Sequence, residues 1–177
     1  VAAEKVFIVG IGDDGIEGMT AHAVKIVESA NILLGPDSCS SLLSADMQGR
    51  LEAVSSLEEL VDRIEESGGQ HKIVVLASGR SPFLWDGALR VCAKLGKERF
   101  EVVPHVSSMQ LAFARVKESW EDAYLANLSG LSVIDRVIDK IRTVDTAGLF
   151  TSEKWPPNVV AEVLLEQGVT GVAGLCL

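Results

Sequence analysis

The 177-residue chain has no apolar run near the roughly 18 residues a membrane-spanning helix needs, and its first apolar stretch, VFIVGIG, is strand-like and glycine-broken. No membrane partner is expected. Basic residues are few: 16 Lys and Arg stand against 25 Asp and Glu, a net charge of −9. That balance argues against a nucleic-acid partner, whose binding rests on neutralising phosphates. Cysteine is scarce too. Cys39, Cys92 and Cys176 are odd in number and lack C-x-x-C spacing, so reduced thiols in a cytoplasm are expected rather than a disulfide framework. Three scattered histidines give no zinc-ligand spacing, and no metal is expected. There is no internal repeat and no low-complexity segment.

What is present is a globular composition, 47% hydrophobic and 23% charged, arranged as alternating strand and helix patterns. Val6 to Val9 reads as a buried parallel strand, followed by a helix capped by Thr20 with Ala23, Ile26 and Val27 inward, then a strand from Asn31 to Leu34. Ser56-Leu57-Glu58-Glu59 is a capping box opening a helix with Leu57, Leu60, Val61 and Ile64 on one face, ended by Gly68-Gly69. Ile73 to Ala77 predicts a strand, LWDGALRVCAKLG a helix, Phe100 to Val103 a strand, and Ser107 or Ser108 the start of a helix to about Val116. The polar KESWED at 117–122 reads as a linker. The pattern then resumes with strands at Tyr124 to Leu128 and Gly148 to Thr151, helices at Val133 to Ile141 and Pro157 to Gln167, and a last strand in GVAGLCL. Such alternation specifies an α/β fold with a mainly parallel sheet. Two α/β domains are expected, residues 1–116 and an incomplete 123–177.

Gly10, Gly12 and Gly15 spell GIGDDG, a literal G-x-G-x-x-G. In a dinucleotide fold that fingerprint lays a pyrophosphate on the N-terminus of the helix opened by its third glycine. Here the turn carries Asp13 and Asp14, and the helix starts late, after a further IEGM. Two carboxylates repel a phosphate but suit a cationic ligand. A nicotinamide oxidoreductase stays open as an alternative, with Asp37 after the second strand about where a ribose-binding carboxylate would lie.

The ordered motifs VGIGDDGIEGMT, VVLASG, VVPHVSSMQLAFARV, SWEDA and LFTSEKWPPNVVAEVLLEQG resemble the tetrapyrrole methylase family, nearest to its precorrin-6Y branch in cobalamin biosynthesis. The resemblance implies two α/β domains with S-adenosylmethionine in the cleft between them, and methyl transfer to a ring carbon of a precorrin-like tetrapyrrole. It also implies further strands after Leu177, a homodimer, and a fused or partner decarboxylating methyltransferase. A methylase of another substrate and a non-catalytic relative are the alternatives within the same fold.

On that resemblance, cofactor contacts fall to Gly10, Gly12, Gly79, Arg80, Ser81, Ser107, Ser108, Leu149 and Phe150, and substrate contacts to Asp14, Asp37, Arg80 and Ser129. Ordinary roles compete at each: Gly79 as a turn glycine, Ser107 or Ser108 as an N-cap, Leu149 or Phe150 as a buried strand residue. Gly79-Arg80-Ser81-Pro82 departs from the family's Gly-Asp-Pro, and Leu128-Ser129-Gly130-Leu131 from its Leu-His-Gly-Arg. The macrocycle's carboxylates want cations, for which Arg50, Arg80, Arg115 and Lys154 are candidates. Trp155 and Trp85 are read either as packing residues or as neighbours of the site.

Overall fold

The computed structural model describes residues 5–67, 69, 71–78 and 86–176. Contacts divide the chain into two units, one up to Ser108 and one from Met109 onward. The first is built on five strands, β1 (Val6–Ile11), β2 (Ile32–Gly35), β3 (Leu51–Ala53), β4 (Ile73–Ser78) and β5 (Phe100–Val103), in the order β3-β2-β4-β1-β5. Every pairing is parallel; Ile11 lies opposite Ser78, and Val9 opposite Val103. A parallel sheet must be covered on both faces, which is why its strands are near-continuously apolar rather than alternating.

The period of two still sorts the two cores. Val9, Ile11, Leu33, Val74 and Leu76 pack with helix α1 (Ala21–Glu28), while Val6, Ile8, Ile32, Leu34, Val75 and Ala77 pack on the other face with α3 (Leu57–Glu66) and α4 (Asp86–Leu95). α1 starts as its sequence demands: the Thr20 hydroxyl accepts the Ala23 N–H at 3.2 Å. At α3 the Ser56 hydroxyl takes the Glu59 N–H, but the Glu59 carboxylate reaches one residue further back than a capping box requires and accepts the Ser55 N–H at 2.8 Å.

The stretch between β2 and α3 holds structure that hydrophobic periodicity does not announce. A 3-10 turn (Asp37–Leu42), a single helical turn α2 (Ala45–Gln48) and the three-residue β3 bury Cys39, Leu43 and Met47 against the α1 core.

The second unit has two parallel strands, β6 (Tyr124–Asn127) and β7 (Ala147–Phe150), covered by α6 (Asp135–Ile141) and α7 (Pro157–Glu166) around Leu128, Ile138 and Val160. Helix α5 (Ser108–Val116) packs here as well: a side chain at Gly148 of β7 would strike Met109 and Phe113 of α5. Contacts divide the chain just after the first residue of α5, and 117–122, expected as a linker, lies in the second unit. Among the described residues of GVAGLCL, 171–176, no strand is formed. Residues 171–176 are exposed and irregular, with Val172 and Leu175 in solvent, because strand propensity without a partner to pair with makes no ladder.

Candidate functional site

Because β4, β1 and β5 are adjacent and parallel, the segments that follow them leave the sheet at one edge. The chain after β1 turns to α1 on one face, whereas the chain after β4 proceeds to α4 on the other. Open α/β sheets bind ligands where connections diverge in this way, outside the carboxyl ends of the strands.

Gly10 is buried in β1 opposite Ala77, and Gly12 follows the strand directly. The turn closes by a 3.0 Å bond from the Gly15 N–H to the Gly12 carbonyl. Gly15 has φ +61°, and a side chain there would lie 2.6 Å from the Leu42 carbonyl oxygen, so both conformation and space require glycine. A 3-10 turn (Gly15–Gly18) follows, and α1 begins only at Ala21. The helix N-terminus that a dinucleotide fingerprint uses is therefore six residues past the third glycine and is capped by Thr20.

Asp14 sits over this turn. Its carboxylate is 57% exposed and approaches His105, which follows β5, with Oδ1 3.4 Å from Nε2. The imidazole side chain is only 11% exposed. Gly12 and Gly18 make the arrangement possible. A Cβ on Gly12 would lie 2.6 Å from His105 Nε2 and 2.7 Å from Asp14 Oδ1, and one on Gly18 would overlap the Asp14 carboxylate. Asp13 is exposed in the same turn. His105 was not singled out by sequence reasoning, although PHVSS was quoted as a motif.

Two residues beyond His105, Ser107 is buried, and Ser108 is the exposed first residue of α5. Gly10, Gly12, Asp14, Ser107 and Ser108 are thus brought to the same end of the first sheet. Gly79, Arg80 and Ser81, with Trp85, lie outside the described residues. Asp37 is exposed at the start of the turn after β2. Beside it, at the carboxyl ends of β2 and β4, a pocket of about 410 Å³ is lined by Pro36, Ser55, Leu57 and Ala77 and by Gly87 and Arg90 of α4. Arg90 is a second residue that spacing does not reveal.

In the second unit, Ser129 and Phe150 come together at the carboxyl ends of β6 and β7, where the Leu128 N–H bonds the Phe150 carbonyl at 2.9 Å. The Ser129 N–H is taken by the Asn127 side chain at 3.0 Å. Leu149 packs with the core of this unit; its neighbour Phe150, one residue on, belongs to the opposite face of the strand. Trp155 is tied down by its indole N–H to the Leu131 carbonyl, 2.9 Å, and packs on the same core.

Of the cations suggested for substrate carboxylates, Arg50 donates to the Glu28 and Ala30 carbonyls. Lys154 donates to the Ser132 carbonyl and lies over the Trp155 ring. Arg115 is exposed, and Arg80 is outside the described residues. Among the described residues no group of three or more His, Cys, Asp and Glu is placed to hold a metal, and no helix is long and apolar enough to cross a membrane.

Comparison with known proteins gives a family-level match to the tetrapyrrole (corrin/porphyrin) methylases over residues 5–171. A probable cobalt-precorrin-7 C(5)-methyltransferase of Methanocaldococcus jannaschii is 34% identical over 131 residues, covering 71% of this chain and 60% of that protein. A decarboxylating precorrin-6Y C(5,15)-methyltransferase of Sinorhizobium is 28% identical, covering 91% of this chain and 38% of its own length. The chain therefore spans less than two thirds of either relative. The crystal structure of a cobalamin-biosynthesis precorrin-6Y methylase from Archaeoglobus fulgidus superposes with a TM-score of 0.58 at 25% identity, covering 72% of this chain and 67% of that one.

Proposed function

This chain belongs to the tetrapyrrole (corrin/porphyrin) methylase family, and on that premise we propose that it methylates a ring carbon of a precorrin-6Y-like macrocycle with S-adenosylmethionine as donor. The observation that carries the reading is the acidic glycine turn at the carboxyl edge of β1, with an accessible Asp14 and the helix N-terminus moved away from it. Such a turn suits a sulfonium and repels a pyrophosphate. The names of the relatives, precorrin-6Y and cobalt-precorrin-7 C-methyltransferases, support the substrate class.

The donor supplies an electrophilic methyl group. The chain's own residues bind, orient and exclude water, which suffices for in-line transfer because orientation alone is worth effective molarities of about 10⁵ M or more. In the first unit Gly10 and Gly12 let backbone come close, with Ser107 and Ser108 as further cofactor candidates at the same end of the sheet; in the second unit the family resemblance makes Leu149 and Phe150 the candidates. Asp37 is the first unit's candidate for the substrate and Ser129 the second unit's, and Arg90 offers a substrate carboxylate a charge-assisted partner. The scarce, scattered cysteines, Cys39 and Cys92 buried, accord with a reducing cytoplasm, and the family with a homodimer. Decarboxylation is assigned to a fused or partner domain.

The test is thermal unfolding with S-adenosylhomocysteine, NAD or NADP. At 100 times its dissociation constant a ligand adds about 2.7 kcal/mol, so S-adenosylhomocysteine should raise the melting temperature and the nicotinamide cofactors should not. Stabilisation by NAD alone overturns the reading.

A further inference from the structure

Asp14 is accessible yet held: His105 stands against one oxygen, and Gly18 leaves room for the other. We propose that the Asp14 carboxylate makes this site select a cationic sulfonium over its neutral thioether product, and that His105 and Gly18 are positioning residues that keep the carboxylate in place. The inference rests on the methyl-donor reading above and deepens it.

The carboxylate comes from the turn after β1 and the imidazole from the segment after β5, so the contact ties together two of the segments leaving the same sheet edge. A freely rotating aspartate would average its charge over solvent. One packed over Gly18 and Gly12 presents it in one direction. In methyl transfer an electron pair of the macrocycle forms the new carbon–carbon bond, the carbon–sulfur pair returns to sulfur, which becomes a neutral thioether, and the methylated macrocycle releases a proton to solvent. The attraction to Asp14 disappears in that step, so the same residue that draws in the donor lets the product go. For unit charges about 6 Å apart at an effective dielectric between about 40 and 80, the preference amounts to roughly three- to tenfold in affinity.

The experiment is calorimetric titration of the full chain with S-adenosylmethionine and, separately, with S-adenosylhomocysteine, in one buffer at one pH. The ratio of the two dissociation constants is compared in wild type, Asp14→Asn, Gly18→Ala, His105→Ala and His105→Gln. Asp14→Asn should reduce the preference for the sulfonium by about three- to tenfold, almost wholly through weaker S-adenosylmethionine binding. Gly18→Ala changes no charge and has a backbone that alanine tolerates, but its methyl group displaces the carboxylate, so it should lower the ratio in the same direction. His105→Ala should lower it partly, and His105→Gln, which keeps a donor for Asp14, should restore it. Asp14→Asn is nearly isosteric and decides the matter if Gly18→Ala fails to fold. An unchanged ratio in Asp14→Asn, or an equal loss for both ligands, overturns the proposal while leaving the methyl-donor reading standing. Failure of wild type to bind either ligand overturns both.

Discussion

Arg50→Ala should cost the first unit about 2 kcal/mol of stability while leaving cofactor binding unchanged. The guanidinium Nη1 donates to the Glu28 carbonyl at 3.0 Å and the Ala30 carbonyl at 2.8 Å. Glu28 ends α1, where carbonyls lack intrahelical partners, and a cation there also meets the negative end of the helix dipole. Each charge-assisted bond is worth about 1.5–3 kcal/mol. Against that, Arg50 Nε is buried without a partner among the described residues, a standing cost of about 1–3 kcal/mol that truncation removes. Water can also take over at the exposed Glu28 carbonyl. The 3.6 Å approach to Asp46, 91% exposed, adds nothing measurable. With a urea dependence of about 1–3 kcal/mol per molar, the loss is a midpoint shift near 1 M. Arg50→Lys keeps the charge but not the fork and should recover less than half of it. An unshifted midpoint together with lost tetrapyrrole binding would refute the reasoning and return Arg50 to the substrate.

Gly148→Ala should destabilise the second unit by about 1–3 kcal/mol, because the new Cβ falls 2.5 Å from Met109 Sδ and 3.0 Å from Phe113 Cε2; adding Met109→Ala should recover part of it, and a single variant melting at or above wild type counts against this packing. Iodoacetamide on the native protein should label exposed Cys176 and spare Cys92, whose thiol burial pushes up, and buried Cys39, as read by mass spectrometry; native labelling of Cys92 contradicts it. The Ser55 N–H and hydroxyl hold the Glu59 carboxyl below the usual glutamate range. Its folded value being depressed, its contribution is present above the unfolded value and lost as pH falls through the folded one. Melting temperatures from about pH 6 to pH 3 should therefore fall less steeply in Glu59→Gln than in wild type; parallel slopes argue otherwise.

The long elements were legible because each states itself locally: β-branched runs for β1 and β4, a Ser cap and i, i+3, i+4 spacing for α3. The chain from Asp37 to Ala53 was not, since a 3-10 turn, one helical turn and three paired residues are too short to show a period. GVAGLCL shows the converse, composition without a neighbour to pair with. At the site, Gly12 and Asp14 were visible as a spaced motif, but His105 was not. Its meaning lies in a contact to a residue far back in the chain, made only once β5 has docked beside β1. The partners of Arg50 were hidden for the same reason: nothing near it in sequence signals the Glu28 and Ala30 carbonyls it serves.

The strand order carries a consequence for biosynthesis. β1 is made before β4 and β5 yet lies between them, so Val6 finds its partner Phe100 only about 95 residues later in synthesis. At roughly 5–20 residues per second that interval lasts several seconds. Until β4 emerges VFIVGI is apolar with neither edge paired, and until β5 emerges one edge stays open, the condition in which nascent chains associate with one another or recruit holdase chaperones. A strand from the interior of the finished sheet thus waits with an open edge on the ribosome.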